Sequence, residues 1–137
     1  NKNRSASSIR TVLQKNGGRL GENGSTSHMF INCGIIHIDK KNVREEDIFD
    51  LAINAGADDV IQINDITEII TKKEDFYKIK TILEKKVENL TYSGIEWRAL
   101  TKLKLSMEQN EKIEGILTSL DELDDVQNIF TNANLKT

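Results

Sequence analysis

The stretch Val60-Ile61-Gln62-Ile63-Asn64-Asp65-Ile66-Thr67-Glu68-Ile69-Ile70 decides how this chain folds. Two short runs rich in isoleucine flank Asn64-Asp65, a pair that tolerates the positive φ of a tight turn, so the segment reads as a β-hairpin. Outward on the amino side, Ile48, Leu51, Ala52 and Ala55 fall on one helical face before Gly56, which predicts a helix with a glycine cap. Asn42, followed three residues later by Glu45, resembles a capping box at its start. On the carboxyl side, Thr71 with Glu74 offers a second capping box, and Phe76, Ile79, Ile82 and Leu83 form the buried stripe of the next helix. Ile35-Ile36-His37-Ile38 before this core and Leu90 to Ala99 after it read as strands. Residues 35–95 therefore run β-α-β-β-α-β, the order of a ferredoxin-like lobe whose two helices cover one face of an antiparallel sheet.

What remains lies at the two ends. Ser5 to Lys15 places Ile9, Val12 and Leu13 at helical spacing and stops at Asn16-Gly17-Gly18. Residues 19–27 are polar, contain Gly21 and Gly24, and read as a loop. His28-Met29-Phe30-Ile31 is β-like, and Asn32-Cys33-Gly34 predicts a turn or bulge between it and the strand that follows. Ser106 with Gln109 makes a third capping box, Ile113, Ile116, Leu117 and Leu120 repeat at helical spacing, and Asp125 to Phe130 reads as a closing strand. Neither end can bury its apolar stripe alone, so the two must pack together. The expected fold is α+β in two small lobes: a discontinuous outer domain of residues 1–34 plus 96–137, and an inserted ferredoxin-like domain of residues 35–95. With no proline and no low-complexity run, a rigid connection is predicted.

At 37% hydrophobic and 30% charged residues, the 137-residue chain has the balance of a folded globular protein rather than of disorder. No apolar run is long enough to span a bilayer, and nothing has the layout of a signal peptide, so a cytoplasmic or organelle-interior location is expected, with no membrane partner. The lone cysteine, Cys33, cannot form an internal disulfide. The chain opens at Asn1 without a methionine, which predicts a shortened or cleaved product. Net charge is −3, without the basic excess of a free-standing nucleic-acid binder, yet the ends differ in sign. Lys2, Arg4, Arg10, Lys15 and Arg19 precede Leu20 with no acid among them, whereas Glu108, Glu111, Glu114, Asp121, Glu122, Asp124 and Asp125 face the single Lys112. Two readings fit. In one, the head contacts phosphate and the acidic tail a basic partner; in the other, both are solvated faces that attract each other.

Catalytic chemistry finds little support. The glycines at 17, 18, 21 and 24 follow a helix and lead into a strand, the reverse of a phosphate loop, and lack its Lys-Ser/Thr ending. His28, Cys33 and His37 have no metal-ligand spacing, and no nucleophile elbow occurs. Asp58-Asp59 and Asp124-Asp125 are adjacent pairs, poorly placed for an acid/base dyad. Tyr92 and Trp97 could stack a base, but aromatics are 5% of the chain and core packing is the expectation. A non-catalytic protein without cofactor or metal is predicted.

Three motifs in order resemble one family. Asn3-Arg4 leading to Ile9-Arg10, Gly17-Gly18-Arg19-Leu20-Gly21, Gly24-Ser25, Phe30 and Gly34-Ile35-Ile36 are similar to the helix, GGxLGxxGS loop and following strands of the YebC/PmpR family. Ala52 to Val60 resembles its AxxAGAxDV segment, and Asp124 to Asn132 its DDVQNVYHN ending. Ala99 stands where the family usually has proline, and Phe130-Thr131 where Tyr-His is common. The resemblance implies the second and third of three domains, the third inserted into the second, with a basic helical first domain absent from this chain. It further implies a DNA-binding transcriptional regulator or, as the alternative, a ribosome-associated translation factor relieving stalling at proline-rich sequences. The mitochondrial relatives, translational activators of cytochrome c oxidase, make the mitochondrial matrix the alternative location. On either account Arg4, Arg10, Lys15 and Arg19 are the expected nucleic-acid contacts, to DNA or to ribosomal RNA. Gly21, Gly24, Ser25, Asp124 and Asp125 are the expected contacts to a protein partner or a second copy.

Overall fold

The computed structural model describes residues 2–41, 43–88 and 90–135. The chain divides into two compact units, residues 32–97 (unit 2) and residues 1–31 with 98–137 (unit 1).

Unit 2 is built on strands β1 (Phe30–Asp39), β2 (Asp59–Ile63), β3 (Ile66–Lys72) and β4 (Leu90–Ala99), with helices α2 (Glu45–Ala55) and α3 (Phe76–Lys86). β1 starts and β4 ends just inside unit 1. The element order is the β-α-β-β-α-β expected, and the sheet order is β2-β3-β1-β4, with β3 antiparallel to both neighbours. The hairpin forms where the sequence places it: Ile63 pairs with Ile66 and Asn64 takes φ +49°. Because side chains alternate across a strand, Ile36, Ile38 and Ile69 point one way. They form a core with Ile48 and Ala52 of α2 and Phe76, Ile79 and Leu83 of α3. α2 ends at Gly56, whose φ of +106° only glycine adopts without strain.

Three local expectations are corrected. β1 is one unbroken strand, not two around a turn: Gly34 pairs with Thr71 in the ladder, and a Cβ there would collide with the Thr71 hydroxyl and the Phe76 ring. The glycine answers close approach, not a bend. Thr71 does not cap α3, because β3 runs on to Lys72; its hydroxyl donates to the Lys72 carbonyl, and a 3-10 turn at Lys73–Asp75 precedes the helix. Tyr92 and Trp97 are not core residues, being 40% and 42% exposed. The box expected at Asn42 lies outside the described residues; α2 has Arg44 as its N-cap, whose side chain does not cap the helix.

Unit 1 contains α1 (Lys2–Lys15), a 3-10 turn at Ser27–Met29 and α4 (Met107–Asp121), and α1 packs on α4. α1 ends at the expected glycines, with the Gly18 amide on the Leu13 carbonyl at 2.7 Å. The Ser106–Gln109 capping box is present in both directions, at 3.1 and 3.0 Å. The closing strand expected over Asp125 to Phe130 does not form: a strand needs a ladder partner, and this segment meets none among the described residues. Only beyond it does Ala133 make one isolated bridge, to Leu103.

Candidate functional site

In unit 1 the structure brings the basic head and the acidic tail together. Ser5 donates its hydroxyl to Asp125 Oδ2 at 2.6 Å. Around this bond lies a cleft of about 430 Å³, bordered by Arg4, Ser5, Ser8 and Ile9 on one side and by residues 122–126 on the other. The Ser5 hydroxyl, helped by the Arg4 charge, holds the Asp125 carboxyl below its usual range. Arg4 thus borders the acidic end within its own unit.

The other expected cations are placed differently. Arg10, Lys15 and Arg19 are exposed and form no ion pair among the described residues. At 3.6 residues per turn, Lys15 returns to the side of Arg4, whereas Arg10 stands about 120° around the axis. The helix cations thus do not all share one face, and Arg19 lies beyond the end of α1 in the loop. Gly21, Gly24 and Ser25 sit in that exposed loop, which is turned by Ser25 donating its amide to the Glu22 carbonyl at 3.0 Å and by Gly24 at φ +81°. Asp124 borders the cleft beside Asp125.

The two units differ in charge. Of 19 basic and 22 acidic residues, residues 32–97 hold 9 and 14, leaving 10 and 8 for unit 1, hence −5 against +2. The overall −3 conceals a unit with a basic excess.

Unit 2 carries one polar cluster that the sequence reading passed over. The β1–β3 register sets His37 opposite Glu68, and their side chains meet at 2.7 Å, with Glu68 almost fully buried and His37 about a quarter exposed. Tyr92 lies tilted on the His37 ring at 5.3 Å and donates its hydroxyl to Glu96 at 2.7 Å. A histidine inside an otherwise apolar strand was the available signal, but its partner depends on a non-local register that no short-range motif encodes. Elsewhere in the unit, the Asp58 carboxylate accepts from Lys72 at 2.8 Å and holds that ammonium above its usual range. Among the described residues, no group of three or more His, Cys, Asp or Glu could hold a metal ion, and no helix is long and apolar enough to cross a membrane.

These features define an α+β protein of two units, one of them discontinuous with a basic excess, the other inserted and acidic. The family profile described as TACO1/YebC second and third domain matches residues 1–133, and the chain belongs to that family. It is 41% identical over 136 residues to a probable transcriptional regulatory protein of Pelagibacter ubique, covering 99% of this chain and 56% of that protein. A protein of the same description from Corynebacterium efficiens is 35% identical over 135 residues, covering 98% and 54%. The chain thus spans a little over half the length of these relatives. The crystal structure of a conserved hypothetical protein from Aquifex aeolicus superposes with a TM-score of 0.87 at 34% identity, covering all of this chain and 57% of that one.

Proposed function

We propose that this chain is part of a non-catalytic regulator of gene expression, in which unit 1 adds phosphate contacts to a nucleic-acid-binding protein. The carrying observation is the set of exposed cations Arg10, Lys15 and Arg19, which form no ion pair among the described residues, in a unit of net charge +2. Such groups displace counterions from a phosphate backbone without reading sequence. The names of the relatives, probable transcriptional regulatory proteins, favour duplex DNA as the polymer. In this reading the chain alone binds weakly, most of the affinity residing in the remaining length of the relatives, and the acidic end at Asp124-Asp125 or the loop at Gly21, Gly24 and Ser25 is left for a protein partner or a second copy.

A second reading places the same cations on ribosomal RNA. One observation favours it: Arg10 is turned about 120° from Arg4 and Lys15 on α1, so the cations suit phosphates approached from more than one direction better than a helix laid in a major groove. Cross-linking the full-length protein in cells and sequencing both recovered polymers separates the two. Discrete DNA sites are the expected result; ribosomal RNA would transfer the role to translation. Recovery of neither would remove the nucleic-acid reading altogether.

A further inference from the structure

Three backbone segments of unit 1 meet around Leu100 and Leu103. Leu100 donates its amide to the Met29 carbonyl at 2.9 Å; Leu103 donates to the Asn132 carbonyl at 2.7 Å and accepts from the Asn134 amide at 2.8 Å. Between them lies a shallow cleft of about 360 Å³ lined by His28, Met29, Leu100, Thr101, Leu103 and Asn132. Its apolar walls are open to solvent, with Met29 44%, Leu100 59% and Leu103 53% exposed. The exposed apolar side chains are thus grouped, not scattered, and polar groups share the lining with them, an arrangement that can seat a ligand. Lys102 and Lys104 alternate with the lining residues, are exposed, and make no ion pair among the described residues.

We propose that this cleft receives the base of an unpaired nucleotide, with Lys102 and Lys104 on the neighbouring phosphates. The proposal rests on the nucleic-acid reading of unit 1 and adds the state of the strand. Leucine methyls and a thioether give an apolar seat for a planar ring, and Thr101 and Asn132 in the lining carry both donors and acceptors for a base edge. The lysines supply the charge complement that an apolar ligand alone would not require. Bases in a duplex stay stacked and cannot enter such a cleft, whereas single strands present them splayed. An unpaired strand occurs in RNA loops and in opened DNA, and the two differ in the 2′-hydroxyl.

The test is fluorescence anisotropy on the 137-residue chain with a labelled oligouridylate, its deoxy counterpart, a duplex of the same length and an acidic leucine-rich peptide. Leu100→Ser and Leu103→Ser each weaken single-strand binding about tenfold and leave duplex binding unchanged. Lys102→Ala lowers the slope of log affinity against log salt by about 0.7. Both leucines are more than half exposed, so the variants keep the fold, as circular dichroism will show. Preference for the ribose strand assigns the cleft to RNA, and equal binding of both strands assigns it to any opened strand. Unchanged single-strand affinity in both leucine variants overturns the proposal, as does tighter binding of the acidic peptide than of either oligonucleotide. Loss of binding in Arg10→Ala with Lys15→Ala, but not in the leucine variants, removes the cleft and leaves the phosphate reading standing. Absence of binding to any oligonucleotide removes both.

Discussion

Unit 2 and unit 1 are made from the same alphabet of helices and extended segments, yet they bury it differently. In unit 2, Ile36, Ile38, Ile48, Ile69, Ile79 and Leu83 are wholly inaccessible. In unit 1, neither α1 nor α4 has a single buried residue, and Ala133 is the one buried apolar side chain among the described residues. The inserted unit contains its own hydrophobic stabilisation, at roughly 25 cal/mol per Å² of apolar surface removed from water. The discontinuous unit holds itself with half-buried contacts, a capping box and the Ser5–Asp125 bond. The difference separates a scaffold from a surface: the unit with the closed core has the acidic excess, and the unit with the open one has the basic excess and the exposed cleft. Segments with few buried apolar contacts open first, so amides of α1 and α4 should exchange faster than those of α2 and α3.

Truncating a buried side chain should break the contrast most severely. Leu83→Ala removes a side chain with no exposure from the α3 face of the core, and a loss of about 3–4 kcal/mol is expected in chemical denaturation. The matching change in unit 1, Leu117→Ala on the partly buried face of α4, should cost about 1–2 kcal/mol. Equal losses at the two positions would abolish the distinction between the units.

Next in size is Gly34→Ala. Its added methyl meets Thr71 and Phe76 where β1, β3 and the start of α3 converge, so the strand or the helix must shift. A loss of about 2–3 kcal/mol is expected, seen as a lower denaturation midpoint with unchanged slope. A neutral result would mean that the convergence is slack.

Gly34 also shows how far the sequence could be read. Its type was visible, but a glycine between two apolar runs signals a turn as readily as a close approach, and only the tertiary neighbours choose between them. Thr71 and Glu74 had the spacing of a capping box, but the β1 ladder claimed Thr71 first. The hairpin at Asn64, the caps at Gly17 and Gly56, and the box at Ser106 were legible because each is decided within a few residues. The Asp125 to Phe130 segment was misread because a β-like composition does not supply a neighbouring strand. At the candidate site, the opposite charges of the ends were plain, but the Ser5–Asp125 contact that joins them spans nearly the whole chain. The cleft at Met29, Leu100 and Leu103 gathers three segments, each unremarkable in isolation.

A smaller effect sharpens the comparison within unit 2. Replacing His37 by alanine takes away the imidazole that meets the buried Glu68 carboxylate at 2.7 Å. The expected loss is about 1–2 kcal/mol, below that of breaking a fully buried pair because His37 is partly open to solvent. His37→Gln keeps a donor within reach of the carboxylate and should recover part of it. If alanine and glutamine are equivalent, the bond contributes nothing beyond packing.

The smallest effect expected is at Ser5, and it isolates unit 1. The Ser5 hydroxyl, with Arg4 nearby, favours the ionised form of Asp125. A carboxyl whose folded pKa lies below its unfolded value adds stability above the unfolded pKa and loses it as pH falls through the folded one. Asp125 is exposed, so solvent screens most of this and the global midpoint should hardly move. Site-resolved titration by carbonyl NMR should nevertheless place Asp125 below an ordinary aspartate and show it rising in Ser5→Ala. As pH falls through that range, α1 amides of the native chain should gain exchange beyond the intrinsic rate change, while those of α3 keep their protection. In Ser5→Ala the α1 amides should lose this extra dependence. An equal response in α3 would mean that the two units open as one, and that the contrast in their cores does not govern how the chain comes apart.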